Sequence, residues 1–321
     1  MSQPTFPLKL PWCNYPKTDN IQAHGLLDLQ KELPLVDFES SRKYRSTKYA
    51  PLPLKSFDKS QILELTRIIA NSFAINEPMN RHVHPSTEIP EGVINAKHHD
   101  ALGNDSFGGW TTENLMFWFI RLIFITNPSN LIGAIRMNDD IFHHSLVITN
   151  DHSKPIGGSL NITLPVKEAE WRQNDPFLEA TFLYQNPIID FIHHHENIAI
   201  QALDDKYPYF KKAHQSGKVG YIAMIARSNE LPSEHTFELF GSSFENFQKQ
   251  GYEYMVITGT NQWTGAACEA LGAARVYFAP FRNKKRVATE NDANQNEPFS
   301  SDGYISAKDS GLMIYAVKLI L

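Results

Sequence analysis

The chain has 321 residues, 42% of them hydrophobic and 12% aromatic, enough to bury a substantial core in one elaborated domain or two small ones. A formal net charge of −5, with both signs mixed along the chain, gives no basis for a nucleic-acid partner. Two distant cysteines, Cys13 and Cys268, exclude a disulfide framework and a cysteine-based zinc site. The apolar run LMFWFIRLIFI at 115–125 is too short to span a bilayer and carries Arg121, and MSQPTFPLKLPWC at the start lacks the layout of a secretion signal. The expectation is a cytoplasmic protein with no membrane partner.

Residues 1–55 are rich in proline and charge and hold no sustained period, so they read as an arm lying across a domain at 56–321, with a short helix near Gly25–Glu32. Periodicity begins at SFDKSQILELTRIIANSF (56–73). There Ile62, Leu65, Ile68, Ile69 and Phe73 fall at three-and-four spacing, Ser56 or Asp58 can cap the start, and Pro78 blocks clean continuation. After a polar stretch at 84–110, Thr111 or Thr112 can cap a second helix, ENLMFWFIRLIF. HHSLVITN (143–150) and KPIGGSLNITLP (154–165) predict two strands of a hairpin, joined by the turn chemistry of Asn150 through Lys154. Residues 167–215 predict a helical insertion in pieces broken by Pro176 and Pro187.

The most regular section follows. VGYIAMIA (219–226) has the continuous apolar character of a buried central strand. PSEHTFELFGSSFENFQKQG (232–251) is an amphipathic helix with Phe237, Phe240, Phe244 and Phe247 on one side and Gly251 placed to cap its end. YEYMVITGT predicts a strand, NQWTGAACEALG a short helix ending at Gly272, and ARVYFAPF another strand. Residues 282–310 are polar and aperiodic, either a flap over a site or a plain surface insertion. GLMIYAVKLIL closes with a strand. The order predicts an α/β fold with a mixed central sheet and flanking helices, because the hairpin is antiparallel and strand–helix–strand implies a parallel pair.

Histidine clusters raise the question of a metal. In HHHE (193–196) consecutive helical side chains point in different directions and cannot close one tetrahedral site, so a polar helix face is expected. The pairs at 98–99 and 143–144 read the same way, the latter facing opposite sides of a strand. His82 and His84 read as loop residues, although they can also line a pocket. GNDSFGG (103–109) lacks the strand and lysine of a phosphate loop. No metal is expected.

Two stretches carry a resemblance. In TNQWTGAACEALGAARVY (260–277), Asn261 follows a strand, and Leu271 and Gly272 open the next one, with Ala273 at a position commonly aromatic. This resembles the GNAT superfamily of acyl-CoA-dependent N-acyltransferases. FAINEPMN (73–80) is similar to the Asp-Glu-Pro-Leu-Asn segment of its arylalkylamine branch, which includes insect dopamine N-acetyltransferases, with Asn76 and Met79 as the departures. The resemblance covers roughly residues 58–281. It implies a GNAT-like sheet whose fourth and fifth strands splay apart, acetyl-CoA or another acyl-CoA as cosubstrate, and a small-molecule amine as acceptor. Glu77 takes the position of the general base, and Thr260 and Thr264 take those of two serines proposed to assist proton movement. Cys268 stands where many members carry a tyrosine that protonates the leaving thiolate, and an inert cysteine facing the core is the alternative. The edge formed by Ala223, Met224, Ile225 and Ala226 would pair with the pantetheine. Arg227, His235, Thr236 and Asn261 complete the implied cofactor set.

The chemistry is consistent with that assignment. An alkylamine must lose a proton before it attacks, and Glu77, shielded by Phe73, Pro78 and Met79, is a candidate for holding it. The plain reading of Glu77 is a solvated charge in a helix-ending turn. One departure weighs against ordinary cofactor binding. Family members usually carry a glycine-rich turn that grips the pyrophosphate, whereas LPSEHT (231–236) has no glycine and brings Glu234 toward the phosphates. At about 6 Å and an effective dielectric of about 20, that repulsion is roughly 2–3 kcal/mol, about a hundredfold in affinity. Arg227, His235, or the cluster Arg282, Lys284, Lys285 and Arg286 are candidates to compensate. Glu234 turning to cap its own helix would also remove the clash. Two functions therefore stand: an N-acyltransferase, or a GNAT-like domain that has lost transfer and binds a small ligand or protein.

Overall fold

The computed structural model describes residues 25–27, 29–76, 120, 140–165, 192–280 and 311–320. Two two-residue strands, Gly25–Leu26 (β1) and Leu52–Pro53 (β2), flank a short helix, Phe38–Arg42 (α1). The helical period near residue 60 is realised as α2, Lys59–Asn76. Its first turn is a capping box. Asp58 Oδ1 accepts from the N–H groups of Ser60 and Gln61 at 2.8 and 2.9 Å, while Gln61 Oε1 accepts from the Asp58 N–H at 3.0 Å. Of the two candidate caps, Asp58 is the one used. The described part of α2 stops one residue before Glu77.

The hairpin forms from β3 (Leu146–Thr149) and β4 (Pro155–Thr163), antiparallel, around a turn in which Asn150 Oδ1 accepts from the N–H groups of His152 and Lys154. The predicted first strand starts too early. Residues 140–144 are helical, with Ser145 N–H donating to the Ile141 carbonyl. His143 is exposed and His144 buried because of helical rotation rather than strand alternation.

Further along come α3 (192–206), α4 (Pro208–Gln215), β5 (Val219–Arg227), α5 (Ser233–Lys249), β6 (Tyr254–Gly259), α6 (Gln262–Ala270), β7 (Ala274–Pro280) and β8 (Gly311–Lys318). Gly251 and Gly272, predicted as helix terminators, have φ of 79° and 81°, the left-handed geometry that a side chain disfavours. They let Tyr252 N–H reach back to the Phe247 carbonyl and Ala273 N–H to that of Cys268.

The eight strands of the described residues form one mixed sheet in the order β1-β7-β8-β6-β5-β4-β3-β2. Among the described strands only β5 and β6 are parallel neighbours. The closing strand lies inside the sheet, antiparallel to β6 on one side and β7 on the other. Its first seven residues are buried, as an interior strand requires. Helices cover both faces. Phe237, Phe240, Phe244 and Phe247 of α5 pack with α6 against Ile222, Met255, Ile257 and Val317. On the opposite face α2 covers Val147, Leu160 and Ile162, and α3 and α4 cover Val219, Tyr254, Val256 and Ile314. This is the mixed α/β sheet with flanking helices that the sequence predicts.

The segment before α2 is bonded to the sheet at several points. β1 pairs with β7, Leu35 bridges Lys318, and Asp37 N–H donates to the Leu271 carbonyl at 2.8 Å. α1 lies across α5 at Gly241, where an added Cβ would stand 2.4 Å from the Ser41 Cβ. Gly241→Ala therefore lowers stability by about 1–3 kcal/mol through overpacking, although alanine is the better helix former by about 1 kcal/mol. Adding Ser41→Gly recovers part of the loss. Urea unfolding of the single and double variants checks this; a more stable Gly241→Ala chain would show that α1 does not press on α5.

Candidate active site

β5 and β6 pair from Val219–Tyr254 to Ile222–Ile257 and then part, although β5 continues to Arg227 and β6 to Gly259. Each strand keeps its outer neighbour past that point. β4 follows β5 to Arg227, and β8 follows β6 to Gly259. Ala223 is an extra residue in the β4–β5 register, since Leu160 faces Met224 and Asn161 faces Ile222. A bulge bends its strand, and this one sits where the inner edge separates. Ala223, Met224 and Ile225 are three consecutive partly exposed residues, whereas Val219, Gly220, Ile222 and Ala226 of the same strand are buried.

The slot opens toward the carboxyl ends of both strands. α5 starts a few residues after β5 and α6 three residues after β6, so two helix N-termini flank its mouth. A crevice at the carboxyl ends of parallel strands, with helix amides beside it, is a general place for an anionic ligand.

The residues predicted to hold the cofactor take different positions. Arg227 is half-buried and donates to the Leu231 carbonyl at 2.8 Å; burial lowers its proton affinity and the Glu234 charge acts in the other direction. His235 Nδ1 contacts Glu238 Oε2 at 3.2 Å and its ring packs on Tyr49. Burial raises the Glu238 carboxyl, against the influence of His235, the Ser46 N–H and Arg45. Thr236 Oγ1 is buried and has no hydrogen-bond partner among the described residues. Pro232 heads α5 without a side-chain cap, and Glu234 lies in the first turn. Asn261 is the N-cap of α6, its Oδ1 accepting from the Thr264 N–H at 3.0 Å and the Thr264 hydroxyl at 3.3 Å.

Among the predicted catalytic residues, Thr260 and Thr264 are partly buried at the mouth of the slot, and Thr264 packs against Gly259. Cys268 does not join them. It is fully buried among Phe237, Leu271 and Tyr315, and burial pushes its thiol far above the ordinary range, so the apolar-core alternative describes it. Glu77 and Met79 lie outside the described residues, as do Arg282, Lys284, Lys285 and Arg286.

One acid in the slot escapes the sequence reading. Glu196, in the HHHE stretch, is 8% exposed, and its Oε1 accepts from the hydroxyls of Tyr221 on β5 and Thr258 on β6. The neighbouring His195 bonds the Tyr277 hydroxyl through Nδ1 at 2.6 Å. The stretch is thus partly an inward face, contrary to the polar-face expectation. The missed signal is spacing: Ile192, Glu196, Ala199, Leu203 and Tyr207 form one stripe at three-and-four intervals, and every other member is apolar or aromatic. Among the described residues no group of three or more metal-ligating side chains converges.

No protein-family model matches the chain, and no curated protein matches it. Among solved structures it is similar to a putative arylalkylamine N-acetyltransferase 7 from the yellow fever mosquito Aedes aegypti, at 12% identity over 85% of this chain and 98% of that one, with a TM-score of 0.48. It is also similar to the C-terminal condensation domain of Ebony in complex with β-alanyl-dopamine, at 10% identity over 84% and 97%, with a TM-score of 0.47. A third is arylalkylamine N-acetyltransferase 2 from Aedes aegypti, at 12% over 82% and 97%, with a TM-score of 0.46. Likenesses at this level decide neither reaction nor substrate.

Capping and cofactor binding make different demands on Asn261. Asn261→Ala removes the first-turn acceptor of α6 and lowers stability by about 1 kcal/mol, whereas Asn261→Asp keeps an oxygen there and retains stability. Urea midpoints of the two variants decide; equal loss in both would remove the capping role.

Proposed function

We propose that the chain is an N-acyltransferase that moves an acetyl or other acyl group from acyl-coenzyme A to a small-molecule amine by direct attack. The parting of β5 and β6 after Ile222 and Ile257 is the observation that supports this reading most. Among the described residues it leaves the backbone edge at Ala223, Met224, Ile225 and Ala226 without a strand partner on that side, which suits the amides of a pantetheine arm. The N–H groups heading α5 and α6 suit the anionic end of such a ligand. The acyl thioester supplies the activated carbonyl, and the chain supplies alignment and proton acceptance. Glu77 is the proposed base, on the strength of FAINEPMN and of a helix that extends to Asn76. Thr260 and Thr264 are proposed to assist proton movement. Cys268 is left out because of its burial.

A second reading, binding without transfer, is favoured by one feature of the same slot. The loop 231–236 offers Pro232 and Glu234 where bare amides would serve a pyrophosphate, and Arg227 is engaged by the Leu231 carbonyl. Calorimetric titration with acetyl-CoA and longer acyl-CoAs separates the two. Binding heat is expected, and Glu77→Gln is expected to cut turnover at neutral pH by about 10² or more. No heat and no thermal shift at millimolar acyl-CoA would support binding without transfer; unchanged turnover in the variant would remove Glu77 from the mechanism.

A further inference from the structure

We infer that Glu196 is a second acid–base group of this site, exchanging protons with the reacting atoms through the hydroxyl of Thr258 at the point where β5 and β6 part. The inference rests on the acyl-transfer reading above. Its support lies in placement. Thr258 is the first β6 residue beyond the last pair with β5, and it is partly exposed. Tyr221 belongs to the second-last pair, opposite Val256. Both hydroxyls donate to the same carboxylate oxygen, so Glu196 ties α3 to the two strands at the vertex of the slot. A carboxylate buried to this degree, on one helical stripe with the buried Ala199 and Leu203, carries a desolvation cost that an apolar residue in its place would avoid. Strand cross-linking alone needs only a neutral acceptor there.

Among the described residues, two elements supply the groups that bond it. From β5 comes Tyr221 and from β6 Thr258. On its own helix His195 is directed to Tyr277 of β7. Burial raises the Glu196 carboxyl above its ordinary value, with Thr258 and Tyr221 acting against it. Burial and the Glu196 charge together hold the Tyr221 phenol well above its own. A carboxyl raised in this way holds a proton more readily than an exposed one, which suits a group that takes and returns one.

The step balances as follows. The neutral amine adds to the thioester carbonyl, forming the carbon–nitrogen bond and leaving a surplus proton on nitrogen. Thr258 receives that proton as it passes its own to Glu196. The carbon–sulfur bond then breaks, and the electron pair leaves with sulfur. The proton returns through Thr258 to the thiolate, giving the amide, coenzyme A and an ionised Glu196. No oxidation or reduction occurs. Cys268, the sequence candidate for protonating sulfur, is enclosed in the core on the other face of the sheet.

The test compares the full chain with Glu196→Gln, Tyr221→Phe and Thr258→Val, using acetyl-CoA and phenethylamine as probes. Glu196→Gln is expected to lower kcat by about 10² with acetyl-CoA affinity unchanged, and to change the acidic limb of the kcat profile by taking the Glu196 ionisation out of it. Thr258→Val should lower kcat by a smaller factor, and Tyr221→Phe should shift that limb to higher pH, since it removes a donor to the ionised form. A second readout needs no turnover. A carboxyl raised on folding from its ordinary 4.5 adds stability that is complete below that value and is lost as pH rises through the folded one. The urea midpoint of the parent chain should therefore fall with pH relative to that of Glu196→Gln. A Glu196→Gln enzyme with the parent's kcat profile, or a stability difference independent of pH, overturns the inference while leaving acyl transfer intact. A parent chain that neither binds acetyl-CoA nor acylates the amine overturns both.

Discussion

Everything in the candidate site depends on two parallel strands that pair for four residues and then stop. The outer edges of β5 and β6 remain fully engaged, by β4 and β8, so the strands are fixed while their inner edges separate. Backbone N–H and C=O groups on those inner edges lose strand partners, each worth on the order of 1 kcal/mol. Such groups need another partner, from water or from a ligand with amides of its own. The bulge at Ala223 gives the separation a local cause: one extra residue on β5 bends that strand at the same level. A slot built by backbone register is insensitive to the identity of most side chains along it.

Around this slot the two faces of the sheet differ in character. The α5–α6 face is filled by the four phenylalanines of α5 together with Phe278 of β7 and closed from outside by α1, whose Arg42 and neighbouring Arg45 both bond Glu245 of α5. The opposite face carries α2 and α3, and polar groups enter it at the vertex. Glu196, Tyr221 and Thr258 connect three elements there. One face thus holds the strands in position, and the other brings ionisable groups to the place where they diverge.

How much of this was legible in the sequence varies with the physics behind each feature. The α5 stripe, the Asn150–Lys154 turn and the terminators Gly251 and Gly272 are local, governed by period, capping and φ, and they appear as read. The parallel β5–β6 pair follows from strand–helix–strand logic. The location of β8 does not, because strand order within a sheet is a long-range choice that composition leaves open. Register is likewise hidden, so the bulge at Ala223 could not be foreseen. His143 and His144 were assigned to a strand because the apolar run after them is strand-like, but the run begins only at Leu146. Glu196 is legible in principle, as a carboxylate on an apolar stripe, but the three adjacent histidines give the stretch the look of a polar helix face. Asn261 shows a motif residue serving its own helix. Glu77, Arg282, Lys284, Lys285 and Arg286 lie outside the described residues.

The interior position of β8 has a consequence for how the molecule assembles. β6 and β7 precede it in the chain, and neither can be completed until residues 311–318 arrive between them. On a ribosome, both would wait with bare edges while the intervening polypeptide emerged, a state open to wrong pairings. Early in the chain, the Val36 N–H donates to the Lys318 carbonyl and the Pro34 carbonyl accepts from the Lys318 N–H, so the two ends of the described chain are fastened in the same event. Contacts of such sequence separation favour slow, concerted closure over stepwise growth from the amino terminus.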